Sequence, residues 1–197
     1  YRAFCPGPIT FILKKNKNSK ISKIATVGKK TVAIRVPKHH VVKNLLNILN
    51  FPIAAPSANI SLKLSPTSAS DVIEEFGKKI NFVLDGGQCK IGLESTIIDL
   101  TGKPIILRPG YITPESIEKI LKQKIKIKKK FKTIKSPGQF RLHYSPGIPV
   151  YLNKKKAKQN QALIGFGKNF KKAQNHFNLS NKGNLKEAAI NLYRIMR

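Results

Sequence analysis

Short apolar runs alternate with helical stripes along most of this chain, an order that predicts an α/β fold. Ile9 to Leu13 is a β-rich run, and Thr31 to Val36 is a second one, stopped by Pro37. The Lys- and Asn-rich stretch from Lys14 to Lys23 predicts the loop between them. Residues His39 to Leu49 then read as a helix that His39 and His40 enter. Pro52 to Ser57 resumes a short strand-like run. Ser68, with Asp71 three residues on, predicts a capping box at the start of a helix that ends near Gly77. Ile80 to Leu84 reads as a strand running into the turn Asp85-Gly86-Gly87, and residues 95 to 108 read as a hairpin around Thr101-Gly-Lys-Pro104. Thr113-Pro-Glu-Ser116 predicts a helix start with proline in the first turn, and Ile117, Ile120 and Leu121 form its stripe. From Lys122 to about Ser145 periodicity gives way to Lys and Ile, then to a polar segment that reads as an ordered linker. Val150 to Leu152 and Ala162 to Phe166 predict two more strands, and Leu185, Ala188, Ala189, Leu192 and Met196 mark a last helix.

Composition refines this picture without redirecting it. At 197 residues and 41% apolar content the chain can bury a real core. No apolar run is long enough to span a bilayer and no signal peptide precedes the first strand pattern, so no membrane role and a cytoplasmic setting are expected. Cys5 and Cys89 suggest free thiols, and the four histidines show no metal-ligand spacing. The net charge of +29 would draw nucleic acid. Its make-up, 32 Lys against 6 Arg spread over most of the chain, favours a general compositional bias over a dedicated nucleic-acid stripe. Aromatics for base stacking are scarce in the Lys runs.

Against that background each arginine stands out, because a planar fork grips carboxylate or phosphate bidentately and lysine cannot. Arg35 and Arg108 end apolar strand patterns shortly before a proline, where an open sheet presents side chains to a ligand. Arg194 and Arg197 read as ordinary surface residues. The segment Pro52-Ile-Ala-Ala-Pro-Ser-Ala-Asn59, followed by Leu64-Ser-Pro-Thr67, combines small side chains with short donors and acceptors. It reads equally as a ligand loop or as a strand end with a helix cap. Ser65 lies just before a helix N-terminus, which favours phosphate, and a self-capping turn is the competing reading.

Taken together, Thr31-Val-Ala-Ile-Arg-Val-Pro37, Ala55-Pro-Ser-Ala-Asn59, Leu64-Ser-Pro-Thr67, Leu84-Asp-Gly-Gly87, Glu94-Ser-Thr96, Leu107-Arg-Pro-Gly110 and Ser136-Pro-Gly138 with His143-Tyr144 resemble one family. It is the YrdC-like threonylcarbamoyl-AMP synthases in their longer two-domain form. The resemblance implies a YrdC-like catalytic domain over residues 1–121, an open, twisted mixed sheet with helices. It further implies a linker over 122–147 that folds over the active site, and part of a smaller Rossmann-like α/β domain over 148–197. The implied reaction joins L-threonine, bicarbonate and ATP into threonylcarbamoyl-AMP and pyrophosphate. Partner proteins would use the product to modify adenosine 37 of tRNAs that read codons starting with A.

Matched position by position, the resemblance assigns Arg35 to the threonine carboxylate, Ala55 to the lining of that pocket and Ser95 to the amino acid. It assigns Thr31, Ser57, Asn59, Ser65, Arg108 and Tyr144 to ATP, with Ser136 as a helper. No side chain stands out as a general base or nucleophile, which suits an adenylation driven by positioning and charge stabilisation. Magnesium is expected to arrive with ATP, since no carboxylate cluster would hold it tightly. The family's early phosphate- and threonine-contacting segment normally precedes the region matching Phe4, and the last helix has no C-cap. The chain therefore reads as truncated at both ends, and this stretch alone is expected to be inactive. Two other readings stay open: a module binding tRNA or double-stranded RNA without catalysis, and the carbamoyl-adenylate-forming domain of hydrogenase-maturation enzymes.

Overall fold

The computed structural model describes residues 1–128, 144–171 and 173–197. In chain order the strands and α-helices are β1 (Ile9–Lys14), β2 (Thr31–Ile34), α1 (His40–Ile48), α2 (Ala69–Phe76), β3 (Thr96–Asp99), β4 (Ile105–Arg108), α3 (Pro114–Leu121), β5 (Lys126–Ile127), β6 (Leu163–Gly165), β7 (His176–Asn178) and α4 (Leu185–Met196). They fall into two compact units that do not follow chain order. One is Tyr1–Pro56 with the described part of Glu94–Phe140, and the other is Ser57–Leu93 with the described part of Arg141–Arg197.

The first unit is built on a twisted mixed sheet of order β2-β1-β3-β4-β5. β1 is antiparallel to β2 and parallel to β3, β3 and β4 form the expected antiparallel hairpin, and β4 is parallel to β5. Successive residues of a strand face opposite sides, so the unbroken apolar runs of the central strands need cover on both faces. On one face Ile9, Phe11, Ile98 and Ile106 pack with Ile117 of α3 and with Ile125. On the other, Ile12, Ile97 and Leu107 form a second cluster. α3 begins as its sequence requires: the Thr113 hydroxyl accepts the Ser116 N–H, Pro114 occupies the first turn, and Lys122 ends the helix in the left-handed region. Ile106 is fully buried in the first cluster. Ile106→Ala is expected to cost about 2–5 kcal/mol of stability, read as a lowered denaturant midpoint at unchanged slope.

The second unit holds α2, the parallel pair β6 and β7, and α4. The capping box of α2 forms as its sequence predicts: Ser68 accepts the Asp71 N–H while the Asp71 carboxylate accepts from the Ser68 N–H. Gly77 closes that helix with a φ of 50°. α4 is capped by the Asn184 side chain, which accepts from the Lys186 and Glu187 N–H groups.

Three runs that read as strands are not strands. Pro52 to Ser57 is exposed and irregular, because Pro52 and Pro56 offer no N–H to a ladder. Ile80 to Leu84 and Val150 to Leu152 have β-like composition but, among the described residues, no neighbouring backbone pairs with them as a strand, and Phe82 and Leu152 are left exposed. Conversely, β5 and β7 are two and three residues long and too short to leave a periodic trace. Ser136, His143 and most of the segment read as a linker lie outside the described residues. Among the described residues no helix is long and apolar enough to cross a membrane, and neither Cys5 nor Cys89 is in a disulfide.

Candidate functional site

In the first unit the strand register decides which candidate residues meet. Ile34 of β2 faces Phe11, Thr96 of β3 faces Ile9, and Arg108 of β4 faces Ile97. The C-terminal ends of β2 and β4 and the N-terminal ends of β1 and β3 therefore share one end of the sheet, which carries Arg35, Thr10, Ser95 and Arg108. Arg35 is exposed there, immediately past β2. Thr31 opens β2 opposite Lys14, at the other end of the sheet. Four residues at about 3.3 Å each put it roughly 13 Å along the strand from Arg35.

Arg108 and Ser95 are joined directly. The guanidinium donates to the Ser95 carbonyl from Nε at 3.1 Å and from Nη2 at 2.8 Å, and Nη2 also donates to Ser95 Oγ at 3.0 Å. Glu94 supplies the counter-charge at 3.5 Å. Ser95 Oγ lies 2.8 Å from the Thr10 hydroxyl, and Thr96 Oγ1 donates to the Ile112 carbonyl at 2.7 Å. Gly110 turns against the same backbone, where a Cβ would sit 2.6 Å from Thr96 N and 2.7 Å from the Ser95 carbonyl carbon. Thr10, Glu94 and Gly110 were not among the sequence candidates. Glu94 and Gly110 lie inside motifs quoted for the resemblance, but nothing in Thr10's sequence context marks it. Ala55, also in this unit, is exposed on an irregular stretch.

In the second unit Ser57, Asn59, Ser65 and Tyr144 are carried by two segments that are paired backbone to backbone. The Ser145 N–H donates to the Leu62 carbonyl at 2.9 Å, and Lys63 and Ser145 form a parallel bridge. Tyr144 adopts a φ of 56° and stacks on Tyr193 of α4, with ring centroids 5.6 Å apart. Ser57 is exposed and Ser65 half-buried between Leu64 and Pro66. Asn59 is the most informative residue of this group. Its Nδ2 donates to the Ile60 and Lys63 carbonyls at 2.9 and 3.1 Å, which fixes the orientation of the amide, and its shielded Oδ1 has no hydrogen-bond partner among the described residues. A buried acceptor in that condition is costly unless a donor arrives.

Asp71 closes this loop. Burial would raise its carboxyl, but hydrogen bonds from the Thr67 N–H and hydroxyl and from Ser68, with the Arg197 guanidinium nearby, hold it below its ordinary value of 3.8. A depressed native value means the carboxylate stabilises the fold fully above pH 3.8 and loses that contribution as pH falls through the native value. Asp71→Asn is thus expected to lower the urea midpoint near neutral pH, with the gap to the unsubstituted protein shrinking in acid. Paired urea titrations across that range check it. Among the described residues no group of three or more His, Cys, Asp or Glu could hold a metal ion.

Comparison with known proteins shows what the chain resembles. Residues 1–110 match the family model Sua5_yciO_yrdC, described as "Telomere recombination", and residues 112–197 match "Threonylcarbamoyl-AMP synthase, C-terminal domain". The chain is 44% identical over 155 residues to the threonylcarbamoyl-AMP synthase of Pyrococcus abyssi, covering 76% of this chain and 45% of that protein. It is 39% identical over 169 residues to that of Bacillus subtilis, covering 83% of this chain and 48% of the relative. The chain thus spans about half the length of the curated relatives it matches. Among solved structures it resembles the crystal structure of P. abyssi Sua5 complexed with L-threonine at a TM-score of 0.81 and 33% identity, over 100% of this chain and 62% of that one. With one family model covering more than half of its residues, the chain belongs to the Sua5/YciO/YrdC family.

Proposed function

We propose that the protein makes threonylcarbamoyl-AMP from L-threonine, bicarbonate and ATP, releasing pyrophosphate. The likeness in fold, at 33% identity, to a Sua5 solved with L-threonine carries this reading, and the names of its curated relatives agree with it. The threonine amine adds to the carbon of bicarbonate with loss of water, giving a carbamate. A carbamate oxygen then attacks the α-phosphate, and the bond from α-phosphorus to the bridging oxygen breaks to free pyrophosphate. Neither step needs a protein nucleophile, and both gain from fixed charge and alignment.

Arg35, exposed and unshared by any described carboxylate, pairs the threonine carboxylate through its fork. Ala55 lines that side through its backbone, and Ser95 bonds the amino acid from a hydroxyl already oriented by Thr10 and Arg108. Arg108 adds positive charge toward the phosphates, and Thr31 and Ser57 supply hydroxyls to the nucleotide. Asn59 Oδ1 takes an N–H or O–H donor of the nucleotide, Ser65 bonds phosphate near the start of α2, and Tyr144 closes on ATP. Magnesium belongs to the same proposal as a companion of the ATP phosphates. The described residues form no cage for it and Glu94 is committed to Arg108, so no step is assigned to the ion. The adenylate would pass to proteins that modify adenosine 37 of tRNA in the cytoplasm. Pyrophosphate release by the full-length protein is expected to require both threonine and bicarbonate, and Arg35→Ala is expected to raise the KM for threonine by a larger factor than the KM for ATP. Pyrophosphate release indifferent to threonine would refute the reading.

A further inference from the structure

Arg197 lies far in sequence from every residue assigned to ATP and read as an ordinary surface arginine. Its side chain is only 18% exposed and its guanidinium is fully engaged. Nη1 donates to the Leu64 carbonyl and to Glu75 Oε2, both at 3.1 Å, and Nε pairs with Asp71 at 3.7 Å. The Glu75 side chain is 4% exposed, and its other oxygen accepts the Ile60 N–H. One guanidinium therefore reaches the loop twice, at Leu64 directly and at Ile60 through Glu75. Asn59 and Ser65 stand immediately outside those two anchor points. Asn59 adds its own bond to the Lys63 carbonyl.

We propose that Arg197 is a positioning residue for ATP: from the end of α4 it fixes the span Asn59 to Ser65 through the Leu64 carbonyl and Glu75. The inference rests on the assignment of Asn59 and Ser65 to the nucleotide given above. Its physical basis is independent of that assignment. A carboxylate as buried as Glu75 needs its counter-charge, and a carbonyl and two carboxylates around one centre suit a planar fork that lysine cannot reproduce. Packing brings α4 to this place: Gly92 has no Cβ, and one built there would collide with the Ala189 and Ile190 carbonyls of that helix.

Arg197→Ala and Arg197→Lys in the full-length protein test this by steady-state kinetics together with amide hydrogen exchange. Arg197→Ala is expected to raise the KM for ATP roughly tenfold while the KM for threonine stays within about twofold, as for a misplaced binding loop. The Ile60 amide is expected to exchange faster while the α4 amide of Ala188 keeps its protection. Arg197→Lys should fall between the two, because it keeps the charge beside Glu75 and loses the fork. An unchanged KM for ATP, or an equal rise for both substrates, overturns the proposal. If Arg197→Ala does not fold, Arg197→Lys decides by the same split. If the unsubstituted protein releases no threonine-dependent pyrophosphate, the function reading fails by itself. Exchange at Ile60 then decides for Arg197: acceleration upholds its hold on the loop and unchanged exchange overturns it.

Discussion

Arg108→Ala is expected to lower threonine-dependent pyrophosphate release about 10²–10³-fold, the scale of losing a fixed donor where charge develops. The structure explains why so much rests on one side chain. Arg108 makes two bonds to the Ser95 carbonyl and one to its hydroxyl, and it neutralises Glu94. Without it Glu94 loses the counter-charge that Arg108 supplies, and Ser95 loses the contact that orients its hydroxyl. The stability cost is expected to be smaller, about 1–3 kcal/mol for stranded polar groups. Arg108→Lys should recover little of the activity, because one ammonium cannot span the carbonyl, the hydroxyl and Glu94 in a single plane. Kinetics and denaturant melts on both variants separate the two effects. A loss of activity no larger than the loss of folded protein would count against the role given to Arg108.

Gly110→Ala is expected to be almost as damaging through geometry alone. The added Cβ would meet backbone rather than flexible side-chain ends: the Glu94 carbonyl, Thr96 N at 2.6 Å and the Ser95 carbonyl carbon at 2.7 Å. Those atoms can yield only by shifting the strand entry that holds Ser95. Overpacking of this kind costs about 1–3 kcal/mol. A displacement near 1 Å in a positioning group costs about a hundredfold in rate. Both are expected here, read as a lower melting temperature and a fall in kcat/KM for threonine. A variant with unaltered kinetics would show that the Glu94–Thr96 backbone does not set the geometry of this end.

How far the chain could be read in advance follows from what each element depends on. β1, the β3–β4 hairpin, α3 and the α2 capping box are set by local signals: apolar runs, turn residues and caps that act within a few positions. They were legible. The pairing of Ser95 with Arg108 was legible too, because a hairpin brings its open ends together. Pro52–Ser57, Ile80–Leu84 and Val150–Leu152 misled because strand composition forms a strand only beside a partner backbone. Glu75 and Arg197 were invisible for a related reason. They are 122 residues apart, and nothing local in either marks a contact that exists only after α2 and α4 are placed. Thr31 shows what a motif leaves open: the register, not the motif, sets it at the sheet end opposite Arg35.

In the proposed reaction a carbon from bicarbonate is installed on threonine and carried onto the α-phosphate of ATP. Full-length protein given ATP, threonine and carbon-13 bicarbonate tests it directly by mass spectrometry of the nucleotide products. Threonylcarbamoyl-AMP carrying the heavy carbon, formed in step with pyrophosphate, is the predicted result. Plain threonyl-AMP, or pyrophosphate with no heavy carbon in any adenylate, would contradict it.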